Sequence, residues 1–289
     1  MMHDTEGRAP PSLLVIGYGA AGRAYTEAFA AAGASVTASD PVATAEQQDQ
    51  AAAQGVRLTS ALPQSLHDFD MVIVLTPAAA SRQICGALAA LPGVCPVLDL
   101  TSSAPDTMRD NAAILTDRFI DGTVLGAVGL SGIATPMIFA GASADKAKAI
   151  LGALGCRITC LDGAAPGTAS ELKLLRSVFV KGLEALFVEF KLCAAAMDHD
   201  TRLRLMLWDL GEVEIFGFLE EMLRTHPRHA ERRLHEVEAA QALVAEKGLA
   251  TPMTEATRML FSRTAKTRGG PDTDPQEALS WLRQTLAAA

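Results

Sequence analysis

The stretch Gly17-Tyr-Gly-Ala-Ala-Gly22 constrains this chain more than any other feature. The pattern GxGxxG is weak alone, because glycine-rich turns are common; its surroundings make it strong. Ser12 to Ile16 is a short apolar, β-prone run, and Ala20 to Ala32 is an Ala-rich helical stretch stopped by Gly33. Ser35 to Asp40 reads as a second strand. Strand, glycine turn, helix and strand within about 30 residues form a βαβ unit.

The alternation continues. Met71 to Leu75 reads as a buried strand, Ala78 to Ala90 as a helix and Pro96 to Leu100 as a strand. Weaker strand candidates lie at Phe119 to Leu125 and Met137 to Ala140, followed by a helix at Asp145 to Leu154 and a strand at Cys156 to Leu161. Repeated strand–helix alternation predicts a mainly parallel sheet covered on both faces. The texture changes after Asp162-Gly-Ala-Ala-Pro-Gly167. From Thr168 to about Ala196 the pattern is helical without interruption, roughly 28 residues and about 42 Å. Beyond it only helices are expected: Thr201 to Arg224, His229 to Lys247, Pro252 to Lys266 and Pro275 to the end. Breaks are expected at His226-Pro227, at Gly248 and from Arg268 to Asp274, with His226 and His229 in a surface loop. The expected fold class is an α/β Rossmann domain followed by an all-α domain, joined by the long helix. The expected boundaries are a disordered lead-in at 1–11, a dinucleotide-binding domain at 12–165 and a helical substrate and dimerisation domain at 166–289.

Within the βαβ unit each glycine has a task. Gly17 permits the tight turn, Gly19 lets backbone approach a pyrophosphate, and Gly22 allows close packing of helix on strand. The pyrophosphate would sit at the helix N-terminus, where free N–H groups and the macrodipole favour an anion. The expected cofactor residues in the turn are therefore Gly17, Tyr18, Gly19, Ala20, Ala21 and Gly22. Asp40 closes the second strand, 23 residues after Gly17. A carboxylate there accepts hydrogen bonds from ribose hydroxyls and repels a 2′-phosphate, so NAD is expected rather than NADP. Two later strand ends, Leu75-Thr76-Pro77 and Thr101-Ser102, face the same crevice at the carboxyl edge of such a sheet.

Composition narrows the remaining classes. A net charge of −8 argues against a nucleic-acid surface and an anionic membrane partner. No apolar run reaches the length of a membrane span, and the polar N-terminus lacks the core of a signal peptide, so a cytoplasmic location is expected. The five cysteines read as buried free thiols, and the six histidines form no metal-binding spacing, so no metal is expected. The absence of GxxxxGK[ST] removes the kinase and ATPase readings.

Four motifs together resemble the β-hydroxyacid dehydrogenase superfamily, which includes hydroxyisobutyrate and 6-phosphogluconate dehydrogenases. The first is GxGxxG. The second, Asp99-Leu-Thr-Ser-Ser-Ala-Pro105, is similar to D-x-S-T-x-x-P. The third, Asp121-Gly-Thr-Val-Leu-Gly-Ala127, stands at the substrate loop D-x-P-V-S-G-G. The fourth, Gly167 to Ser177, resembles G-x-x-x-x-x-K-x-x-N-N and puts Lys173 on the catalytic lysine. Leu125 replaces the loop serine and Arg176-Ser177 the Asn-Asn pair, closer to a less characterised branch of phosphogluconate-dehydrogenase-like oxidoreductases. The resemblance implies hydride chemistry, Lys173 as general acid/base, and Thr101, Ser102, Leu125, Gly126, Arg176 and Ser177 around the substrate. Arg233, with Arg232, is a candidate for a substrate anion. A homodimer through the helical domain is implied as well.

Helical geometry supports part of this without the family. Ser170, Lys173, Ser177, Lys181 and Glu184 fall within an arc of about 80° on the long helix. Most of its other positions are apolar, which predicts a buried helix whose polar stripe faces a cleft, a partner charge or a water-filled site, the alternative being an internal Lys181–Glu184 ion pair beside a domain interface. The leading expectation is an oxidoreductase moving a hydride between NAD and a small hydroxy acid or related alcohol. Imine reduction on the same fold, and an NAD-binding sensor or assembly subunit without turnover, are the alternatives.

Overall fold

The computed structural model describes residues 9–126, 128–267 and 274–287. Residues 1–8 of the expected lead-in, Ala127 of the third motif and residues 268–273 of the last expected break lie outside them. The chain divides into two compact units, Met1–Ser177 and Val178–Ala289.

The first unit begins β1 (Ser12–Ile16), α1 (Ala20–Ala31), β2 (Ser35–Ser39), α2 (Ala45–Ala53), β3 (Val56–Thr59), β4 (Met71–Val74) and α3 (Ser81–Ala90). It continues β5 (Val97–Asp99), α4 (Pro105–Leu115), β6 (Phe119–Val124), α5 (Val128–Ser131), β7 (Met137–Ala140), α6 (Ala144–Ala153) and β8 (Ile158–Cys160). The strands form one sheet in the order β3-β2-β1-β4-β5-β6-β7-β8, parallel throughout except where β6 meets β7. Alternate residues of β1 feed two cores. Leu13 and Val15 join the cluster around Tyr25, Phe29 and Phe139; Leu14 and Ile16 join that around Leu88, Met108 and Phe119. Both faces are therefore covered, as expected for a sheet built from apolar strand runs.

The reading of the sequence passed over α2, β3 and α4. Helix α2 is polar and starts on a Thr44–Gln47 capping box, while α4 starts on Pro105, which needs no amide partner at that position. The chain leaves β1 toward β3 on one side and returns to β4 on the other. The strand order therefore reverses between β1 and β4, and the crevice at that switch point is where ligands bind in open α/β sheets.

Helix α7 (Thr168–Ala196) runs through the unit boundary as one element of 29 residues. The second unit then holds α8 (Leu203–Met206), α9 (Ile215–Ala245), α10 (Pro252–Ala265) and α11 (Pro275–Leu286). Three expectations fail here. The segment expected as one helix from Thr201 to Arg224 is broken into short turns before α9 begins at Ile215. No break occurs at His226-Pro227: Pro227 lies inside α9, and His226 is buried, its Nε2 3.0 Å from Thr264 Oγ1 on α10. The Arg233 guanidinium donates back to the Met222 carbonyl and the Thr225 hydroxyl, supporting the backbone just before the proline. Helix α7 is also not buried in the single chain: Leu175, Val178, Phe179, Leu183 and Phe187 are all exposed. Its one buried acid, Glu189, accepts from the Met253 and Thr254 amides and so caps α10.

Candidate active site

The loop after β1 is shaped by contact. Gly17 has φ +99°, and a Cβ there would lie 2.7 Å from the Leu75 carbonyl oxygen. A Cβ on Gly22 would lie 2.1 Å from the Gly17 carbonyl oxygen, so Gly22 lets α1 pack on the turn itself rather than on the strand. Around Gly19 such an atom would meet nothing within 4 Å. Helix α1 has Gly19 as its N-cap, no side-chain cap and no acid in its first turn. Its free amides and positive dipole end thus stand ready for an anion.

Beside this turn lies a cavity of about 560 Å³, bordered by Gly17, Gly19, Asp40, Leu75, Thr76 and Pro77. Ser39, Ser60, Leu62, Gln83, Ile84 and Ala87 complete much of its wall. These six were missed in the sequence; only the helical spacing of Gln83, Ile84 and Ala87 on α3 could have signalled them. Asp40 Oδ2 accepts from the Tyr18 amide at 2.7 Å and Oδ1 from the Val42 amide at 3.0 Å. Each oxygen keeps a lone pair for a ribose hydroxyl. The Thr76 hydroxyl is buried without a protein partner. The Tyr18 side chain does not join the cavity: its ring is buried in the core, and only its backbone serves the loop. An open cradle at Gly19, an uncapped helix end, a terminal carboxylate and an orphan hydroxyl fit a dinucleotide.

The second cluster gathers Ser102 and Lys173. Ser102 follows β5 and has φ +62°, a left-handed conformation that costs a side-chain-bearing residue about 1–2 kcal/mol. Its neighbours are tied down. The Thr101 amide donates to Asp99 Oδ1 at 2.9 Å, the Thr101 and Ser103 hydroxyls pair at 2.7 Å, and Ser103 donates to the Ala78 carbonyl. Thr101 is thus turned inward, while Ser102 is exposed and accepts a hydrogen bond from Lys173 Nζ. Burial, and then the nearby Arg176 guanidinium, hold the Lys173 ammonium below the usual lysine value.

The remaining candidates are less convergent. The Ser177 hydroxyl donates back to the Lys173 carbonyl on its own helix, and Arg176 is exposed. Leu125 gives its amide to the Pro136 carbonyl, and Gly126 has φ +150° with Thr135 close by. In the second unit Arg233 is bonded within α9, Arg232 pairs with Glu236 at 2.7 Å, and Lys181 pairs with Glu184 at 2.7 Å. Cys85, Cys95 and Cys156 are buried and Cys160 and Cys193 partly so, all as free thiols. Among the described residues no helix is long and apolar enough to cross a membrane, and no cluster of side chains could hold a metal ion.

A family model described as "Putative NAD(P)-binding" matches residues 1–103, and one described as "Domain of unknown function (DUF1932)" matches residues 208–264. No curated protein matches the chain. Among solved structures, a reductive aminase from Aspergillus terreus in complex with NADPH and ethyl levulinate is 21% identical. The match covers 95% of this chain and 100% of that one, with a TM-score of 0.75. An imine reductase variant from Myxococcus stipitatus in complex with NAD+ is 17% identical over 94% of this chain and 99% of that one, with a TM-score of 0.72. A conserved protein of unknown function, described as structurally similar to 3-hydroxyacid dehydrogenases, is 21% identical. It covers 88% of this chain and 97% of its own, with a TM-score of 0.59. By its sheet order, its helical second unit and these matches, the chain shares the fold of these structures: an NAD(P)-binding α/β unit followed by a helical unit.

Proposed function

We propose that this protein is an NAD-dependent oxidoreductase that moves a hydride between the nicotinamide and a small hydroxy acid or related alcohol. The observation that carries the reading is the contact of Lys173 with Ser102, at the same carboxyl edge of the sheet as the glycine turn. The cofactor would be held by the Gly17–Gly22 turn, Asp40, Thr76 and Pro77, and when bound it supplies the hydride acceptor or donor. Asp40 supports NAD over NADP, because a 2′-phosphate would meet its carboxylate.

Alcohol oxidation requires a base on the hydroxyl, and ketone reduction an acid on the carbonyl oxygen. Lys173 serves both directions if its amine exchanges a proton near neutrality, and its lowered pKa moves it that way. Ser102 orients the ammonium and offers a hydroxyl to the same substrate oxygen. Arg176, one turn further along α7, supplies a cation for a substrate carboxylate, a role Leu125 cannot fill through a side-chain donor.

Imine reduction is the second reading, favoured by the likeness in fold to the reductive aminase and imine reductase structures. Lys173 weighs against it, since an iminium already carries its proton and positive charge, and an ammonium beside it would repel it. The exposed apolar side chains of α7 support a homodimer, which would cover them. The test is NAD(H)-coupled absorbance across a panel of hydroxy acids, alcohols and imines. Turnover of hydroxy acids or alcohols is expected. Turnover of imines alone would replace the proposal with the second reading, and none with any member would favour a non-catalytic binding protein.

A further inference from the structure

We propose that Asp99 and Asp121, two buried carboxylates on neighbouring strands, are positioning residues that jointly set the Ser102–Lys173 contact. They are register partners on the parallel pair β5 and β6, and both are 0% exposed. They also lie on one face of the sheet. A Cβ on Gly122, the residue after Asp121 on β6, would point at Leu98 and Leu100, on the opposite face. A buried carboxylate is costly unless it is fully hydrogen-bonded, so the partners of each indicate its task.

Asp99 holds the serine. Its Oδ2 accepts from Ser81 at 2.5 Å, with Asn111 bonded to the same serine at 2.6 Å, and its Oδ1 accepts from the Thr101 amide. That last bond fixes the backbone one residue before Ser102, where the chain must enter its left-handed conformation. Asp121 holds the lysine. Its Oδ2 accepts from the Gly167 amide at 2.8 Å and the Ser170 amide at 3.1 Å, and its Oδ1 accepts from the Ser170 hydroxyl at 2.7 Å. The two amides are free donors at the N-terminal end of α7, capped by a strand carboxylate in place of a local side chain. Lys173 lies three residues beyond Ser170, so fixing that turn fixes where the lysine emerges. Arg109 adds a bridge from α4 to Glu171 on the same turn, but that pair is half exposed and is worth little. Two adjacent strand positions thus hold the two ends of one hydrogen bond.

This inference rests on the Lys173 reading for its catalytic meaning, yet its test reads geometry and needs no substrate. The full-length chain is labelled competitively at its lysines with acetic anhydride across pH, and the peptides are quantified by mass spectrometry. Wild-type Lys173 should titrate below the exposed lysines. In Asp121→Val and Asp99→Val, checked for folding by circular dichroism, the released lysine gains solvent. Its titration should move up toward the exposed lysines, with a several-fold drop in its relative labelling near neutral pH. Asp121→Asn and Asp99→Asn each keep one acceptor oxygen of the two and should shift Lys173 in the same direction but less than the valine variants. If the valine variants do not fold, Ser170→Ala and Ser81→Ala, which each remove one partner, should give smaller shifts in the same direction. Unchanged Lys173 titration in folded valine variants, or in the serine variants where those do not fold, would overturn the proposal. A Lys173→Met variant with normal turnover would instead refute the catalytic reading and leave the positioning result standing.

Discussion

The two units bury themselves to different degrees. In the first, the sheet is sealed on both faces by large side chains such as Tyr25, Phe29, Phe119 and Phe139, none more than 1% exposed. In the second, the buried apolar side chains among the described residues are all small: Ala194, Pro227, Ala230 and Ala278. Phe187, Trp208, Ile215 and Phe216 stand exposed. The first unit builds its own core and can present a preformed site. The second leaves large apolar side chains in water in a lone copy, the kind of surface that marks an interaction site where it is contiguous. In the proposed function the first unit does the chemistry and the second pairs with another copy, and each side of that contrast can be broken.

The largest effect is expected in the first unit. Lys173→Met keeps most of the stem's packing and removes the titratable amine, so kcat on the best panel substrate should fall by about 10²–10⁴. NADH affinity, followed by fluorescence, should survive. Next comes the second unit. Phe187→Glu sets a charge on the exposed face of α7 and should shift the protein from dimer to monomer in light scattering after size exclusion. A wild type that is already monomeric would break the contrast between the units.

A smaller effect concerns the charge beside the lysine. Oxidation needs the neutral amine, so its rate should rise with pH through the Lys173 pKa. Arg176→Gln removes one of the two causes that hold that pKa down, so the rising limb should move to higher pH, with rates a few-fold lower near neutrality. A limb that stays in place would mean that burial alone sets the value. The smallest effect is on stability. Burial, and then Arg233, hold the His226 imidazole below its usual pKa. Its contribution is therefore complete above the ordinary histidine value and is lost as pH falls below about 6.5, where the unfolded chain takes up the proton first. His226→Leu should flatten that decline in thermal melts of the whole chain.

What the sequence disclosed follows the same division. Glycines with fixed backbone tasks and β-prone runs made the first unit legible, with the ends of β1 as read and those of α1 and β4 one residue short of the reading. The polar helix α2 was hidden because it offers little apolar periodicity, and α4 because it follows a loop rich in turn residues. The roles of Asp99 and Asp121 were hidden for another reason. Each stands as a single acid in an apolar strand, and only tertiary contact identifies what it holds. In the second unit the apolar pattern of α7 predicted burial, which a single chain does not provide. His226-Pro227 looked like a break because proline removes a helix bond; the contact of His226 with Thr264 and the reach of Arg233 hold α9 through it.

The proposed NAD-selective site of the first unit can be tested by parallel fluorescence titration with NADH and NADPH. NADH should bind at least tenfold more tightly, a difference of about 1.4 kcal/mol. Asp40→Ser should narrow that gap by removing both the ribose hydrogen bonds and the repulsion. Tighter binding of NADPH by the wild-type chain, or binding of neither, would rule out an NAD-selective site.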